Sequence, residues 1–94
     1  MELFRFKTES VNYQRATNFE VICNSINFLN EGTEKAYINQ TVLLPGEFYN
    51  VSGNYGEIHQ QQYFISFFGE NGGNLLVTTK VYTGLVDSKQ LFPL

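Results

Sequence analysis

Residues Ile26–Phe68 read INFLNEGTEKAYINQTVLLPGEFYNVSGNYGEIHQQQYFISFF. Strand-like runs in this stretch are separated by Asn30-Glu31-Gly32-Thr33, Leu44-Pro45-Gly46-Glu47 and Gly53-Asn54. Each separator has its own turn chemistry. Glycine supplies positive φ for a bulge or a type II position, Pro45 presets φ at the first central residue, and the flanking residues alternate in and out. The order of runs and turns predicts an antiparallel meander.

The pattern extends in both directions. Upstream, Phe19, Val21 and Cys23 point one way while Ile22, Ile26 and Phe28 point the other, so the apolar face changes near Asn24 and Ser25. A bulge or twist is expected there. Residues 1–8 alternate Leu3, Arg5, Lys7 against Phe4, Phe6, Thr8, which suits an extended arm or an edge strand. Within the stretch, Ala36, Ile38, Val42 and Leu44 share one parity opposite Tyr37, Asn39 and Thr41, and Phe48 and Tyr49 are read as anchors of the next strand. Gln60–Phe68 is apolar on both faces, as expected of a central strand between packed layers or beneath a subunit contact. Downstream, Glu70-Asn71-Gly72-Gly73-Asn74 predicts a hairpin turn, and Leu75–Val86 the returning strand, with Leu75, Val77 and Val81 opposed to Leu76 and Tyr82.

No window carries the 3.6-residue apolar period of a helix. The fold class is therefore all-β, an antiparallel β-sandwich or small barrel of about six to eight strands with little or no helix. The 94 residues are read as a single β-sandwich domain, 1–94, with an extended N-terminal arm (1–8) and a C-terminal tail (87–94). Nine Phe and six Tyr, with no Trp, carry much of the apolar core volume.

Composition removes several function classes from consideration. Six basic and nine acidic residues are spread without a run of one sign, which disfavours a nucleic-acid groove. One Cys, one His and a single Asp, Asp87, do not make a zinc or calcium site, and no phosphate-cradling glycine motif is present, so no cofactor or metal is expected. Glu31, Glu34, Glu47, Glu57 and Glu70 sit in or near turns, where solvation explains them better than paired catalysis does. The chain is read as a non-enzyme. Cys23, inside an apolar run, is read as a buried hydrophobe. The absence of a long apolar run or a signal-peptide core leads us to expect a soluble chain made in a reducing cytoplasm, without a membrane partner.

Exposed aromatics and apolar ends remain as candidate contacts. Tyr37, Tyr49, Tyr55, Tyr63 and Tyr82 are read on outward parities; ordinary cross-strand packing accounts for most of them, and tyrosine also offers a flat face with a polar tip, useful at protein interfaces and against sugars. Leu3, Phe4 and Phe6 at one terminus and Leu91, Phe92 and Leu94 at the other are apolar where lone monomers usually end in polar tails, so they either fold back on the core or dock as arms on neighbours. The interaction candidates are Phe4, Phe6, Tyr49, Tyr55, Tyr82, Leu91, Phe92 and Leu94.

From Asn30 to Ile58 the chain shows an N-x-G-T turn, the alternating strand Ala36-Tyr37-Ile38-Asn39, the turn Leu44-Pro45-Gly46-Glu47 and the loop Gly53-Asn54-Tyr55-Gly56-Glu57-Ile58. This pattern resembles small β-sandwich structural proteins of tailed bacteriophages, found in head or tail assemblies. The resemblance implies a virion component without catalytic residues, assembled in many copies as a head decoration, neck or tail part, with copies of itself and other virion proteins as partners. The other reading of the same residues is a carbohydrate-binding or adhesin-type sandwich that uses Tyr55, Tyr49 or Tyr82 as a stacking platform for a glycan.

Overall fold

The computed structural model describes residues 3–53, 57–69 and 73–86, with backbone alone at 3, 4 and 84–86. Within them the chain forms eight strands: β1 (Leu3–Tyr13), β2 (Thr17–Cys23), β3 (Ser25–Asn30), β4 (Ala36–Ile38), β5 (Thr41–Leu43), β6 (Phe48–Val51), β7 (His59–Phe67) and β8 (Leu75–Val86). All pairings are antiparallel, and four of them are nested: β4 with β5, β3 with β6, β2 with β7 and β1 with β8. The chain thus resembles one long two-stranded ribbon, closed at the β4–β5 hairpin. Rolling that ribbon up adds the contacts β3·β8 and β4·β7. The result is two four-stranded sheets, ordered β1-β8-β3-β6 and β2-β7-β4-β5. This is the jelly-roll form of the β-sandwich.

The all-β sandwich agrees with the sequence reading, and the meander does not. Only β4 and β5 are neighbours both in sequence and in a sheet; every other connection crosses from one sheet to the other. In particular β7 and β8 lie in different sheets, so they are not the hairpin pair expected from Glu70-Asn71-Gly72-Gly73-Asn74. Gly, Pro and Asn let the chain reverse in either case, so turn chemistry marks where it turns and leaves open what it then pairs with. The change of apolar face at Asn24 has the same origin. β2 ends in one sheet and β3 begins in the other, and each presents its own apolar side to the shared core.

That core is assembled by alternation. Ile26, Phe28, Leu75 and Val77 face inward from the first sheet, and Cys23, Ala36, Ile38, Leu43, Tyr63 and Ile65 from the second. An aromatic series crosses between the sheets: Tyr13 stacks on Phe19 at 5.0 Å, Phe19 meets Tyr63 at 5.9 Å, Tyr63 meets Phe28 edge-on at 5.0 Å, and Phe28 meets Tyr49 at 6.2 Å. Each such pair adds about 0.5–1.5 kcal/mol beyond its buried area. Packing is close enough that a Cβ on Gly73 would run into the Phe67 ring.

Two parities differ from expectation. Asn39 takes a left-handed conformation, φ 53°, in the β4–β5 turn, and its amide nitrogen donates to the Phe64 carbonyl at 2.8 Å. The tight turn inverts the alternation, so Leu43 is 4% exposed while Val42 is 49% exposed. Phe48 points outward at 69% exposure, and the inward anchor of β6 is Tyr49. The Leu44–Glu47 turn forms as its residues require: Gly46 has φ 85°, the Glu47 amide donates to the Leu44 carbonyl at 3.0 Å, and the Leu44 amide donates to Glu47 Oε1 at 2.7 Å.

Two buried asparagines hold the corners. Asn24 Nδ2 donates to the Glu57 carbonyl at 2.6 Å and its Oδ1 accepts from the Tyr82 amide at 2.7 Å, which ties the β2–β3 corner to β8. Asn30, fully buried at the end of β3, donates through Nδ2 to the carbonyls of Glu34 and Leu43, both at 2.9 Å, and accepts the Gly32 amide on Oδ1 at 3.0 Å. Its backbone nitrogen donates to the Glu47 carbonyl at 3.0 Å, and its carbonyl accepts the Gly46 amide at 2.8 Å.

Asn30→Ala strands three backbone groups and is expected to cost about 3 kcal/mol or more in urea unfolding. Asn30→Asp points a carboxylate at two carbonyls, so its folded pKa lies above the unfolded value. Relative to Asn30→Ala, the aspartate variant should be most stable below the unfolded aspartate pKa and lose that advantage as pH rises through the folded value. A pH-independent difference between the two would contradict this.

Candidate functional site

The outer face of the first sheet is banded. Register places Ser10, Thr78, Asn27 and Asn50 in one row across all four strands, with the Ser10 and Thr78 hydroxyls 3.1 Å apart and Asn50 Nδ2 donating to Asn27 Oδ1 at 3.3 Å. On one side of this polar band lies an apolar row, Leu76, Leu29 and Phe48. Towards the opposite end, Phe6 and Tyr82 face each other edge-on at 6.3 Å, with the Lys80 ammonium 4.4 Å from the Phe6 ring centre and 5.0 Å from that of Tyr82. The outer face of the second sheet carries Ile22, Val42 and Phe64, all exposed, with Phe64 at 53%. β7 is central in its sheet as expected, yet its outward aromatic has no cover among the described residues.

The β1–β8 pair also outruns its neighbour. The last β3–β8 pair is Ser25↔Lys80, whereas β1 follows β8 on to Leu3↔Val86, past a bulge between Arg5 and Phe6. Residues 3–7 and 81–86 therefore form a two-stranded ribbon with no third strand among the described residues. A two-stranded ribbon is marginal alone in water. The expected N-terminal arm is this part of β1, a paired edge strand, and Phe4 lies in it opposite Leu85.

A second feature lies between the sheets. Ile38, Asn39 and Thr41 from the β4–β5 hairpin, Tyr49 and Val51 from β6, and His59, Gln61 and Tyr63 from β7 line a cleft of about 240 Å³. Tyr63, read from the sequence as outward, is 3% exposed and forms its floor. Burial pushes the Tyr63 hydroxyl up, and that hydroxyl lies 2.6 Å from His59 Nε2.

Of the sequence-derived candidates, Phe6 and Tyr82 come together, while Tyr49 sits on the opposite face of the same sheet and lines the cleft. The Phe4 side chain, Tyr55, Leu91, Phe92 and Leu94 lie outside the described residues. His59 and Gln61 are not among the sequence-derived candidates. The available signal was their parity, since both share the inward side with Tyr63 and Ile65.

Among the described residues no group of three His, Cys, Asp or Glu side chains converges for a metal, and no helix is long and apolar enough to cross a membrane. Cys23 is buried, and burial pushes its thiol up, away from the reactive thiolate. Native protein is therefore expected to react with a thiol reagent at neutral pH only as fast as it unfolds, and rapid full labelling without denaturant would contradict that burial.

Compared with protein-family models, curated proteins and solved structures, the chain matches none.

Proposed function

We propose that this chain is a non-enzymatic structural protein that assembles in multiple copies in a bacteriophage particle, as a head decoration, neck or tail component. The observation that carries the assembly reading is the uncovered apolar surface. Ile22, Val42, Phe48, Phe64 and Phe68 are all exposed, and they come from both sheets and the loop after β7. Fully burying one side chain of the Val, Ile or Phe class contributes about 1.5–3 kcal/mol, so covering several of them against neighbours is a substantial driving force for a domain of this size. The β1–β8 ribbon points the same way, because its open edges can pair with another chain.

The phage setting rests on the turn pattern between Asn30 and Ile58 described above. Jelly rolls also build capsid and lectin domains, an analogy of fold that is compatible with this reading and does not select it. The proposed partners are copies of this chain and other virion proteins.

Sedimentation of the purified protein should give a mass well above the 10.8 kDa of one chain. The double variant Phe48→Asp and Phe64→Asp, both at outward positions, should sediment as a monomer with an unchanged far-UV spectrum. Peptides of the chain should also be found in purified virus particles. A strict monomer at every concentration, absent from particles, would sink the proposal.

A further inference from the structure

The inward side of β7 changes chemistry along its length: Phe67, Ile65 and Tyr63 give way to Gln61 and His59. Two strands along in the same sheet, Thr41 on β5 occupies the inward position opposite Ile38. Inner positions of a sandwich are usually apolar. At this end of the cleft Thr41 and Gln61 are polar and solvent-exposed, so their hydrogen-bonding groups are open to a ligand. Among the described residues, neither side chain has a hydrogen-bond partner. Asn39 Oδ1 accepts the Phe64 amide at 2.9 Å, which leaves its Nδ2 as a donor beside them.

The other walls narrow the choice of ligand. No Lys, Arg, Asp or Glu lines the cleft, which disfavours phosphates, carboxylates and amines. Tyr49 lies beside its cross-strand partner Phe28 and contributes an aromatic surface of the kind that packs on the C–H face of a saturated ring. The His59–Tyr63 contact fixes two polar groups at the floor. At about 240 Å³ the space is smaller than the roughly 300–1,000 Å³ of drug-sized pockets, so it suits a single ring.

We propose that this cleft binds one neutral polyhydroxylated ring of the monosaccharide class. Tyr49 packs on the ring, and Gln61, Thr41 and Asn39 hydrogen-bond its hydroxyls. This site is separate from the outward residues of the assembly reading, so the two can fail independently.

The test is an amide-resolved NMR titration with glucose, galactose, mannose, N-acetylglucosamine and myo-inositol, each taken to high millimolar concentration. At least one should produce saturable shifts at Thr41, Tyr49 and Gln61. Gln61→Ala and Thr41→Val should each weaken that binding about three- to tenfold, the range for one hydrogen bond lost. Tyr49→Leu should weaken it further, with its amide spectrum checked because Tyr49 also packs on Phe28, and Tyr82→Ala should leave it unchanged. Absence of saturable shifts with all five probes would overturn the proposal, as would binding that Gln61→Ala and Thr41→Val leave intact.

Discussion

Asn30 is the residue on which the two ends of the roll depend. It sits where β3 leaves the first sheet, and its amide reaches the carbonyl of Leu43 in the second sheet at 2.9 Å. Its own backbone meanwhile closes on Gly46 and Glu47. The side chain thus fastens the loop before β4 to the end of β5, while the backbone of the same residue holds the turn before β6. Buried polar groups are costly when unmatched and specific when matched, and this one has its oxygen and nitrogen both engaged. An apolar residue of similar size could fill the space, yet it could not tie the loop before β4 to the end of β5. Asn24 performs the corresponding task at the next corner, where β2 passes into β3.

With the corners held, the nested pairing follows. β3 and β6 are brought side by side, β4 and β5 form the closing hairpin, and β2·β7 and β1·β8 continue the ribbon outward. The aromatic series from Tyr13 to Tyr49 then fills the space between the sheets. This arrangement has two consequences for function. The ribbon continues beyond β3, leaving edges and apolar side chains outside. Between the sheets lies a cleft in which Asn39, Thr41, His59 and Gln61 stand beside Ile38, Tyr49 and Val51.

Much of this was readable in the sequence. Pro45 and Gly46 have only a few compatible turns, so that turn could be placed, and Leu75 and Val77 share one parity that marks a core-facing strand. Pairing was not readable, because Gly72 and Gly73 would serve a hairpin or a crossing equally well. Asn39 hid the β4–β5 turn. Without knowing its left-handed φ, Val42 takes the parity of Ile38 and the inward residue is misread by one. Asn30 was equally opaque: in a turn motif an asparagine reads as solvated, and only the fold reveals that it is buried. For the cleft, Tyr49 was selected from its chemistry, while His59 and Gln61 required the register to show that they face inward.

Amide hydrogen exchange at Gly32 and Gly46 tests the central role of Asn30 most directly. Both glycines lie in connecting loops, and Gly46 is exposed, yet their N–H groups donate to the side-chain and backbone oxygens of Asn30. If Asn30 locks the corner, both amides exchange only through global unfolding and show the same protection as Ile65 in the core. Exchange at the rate of an open loop, with Ile65 still protected, would contradict it.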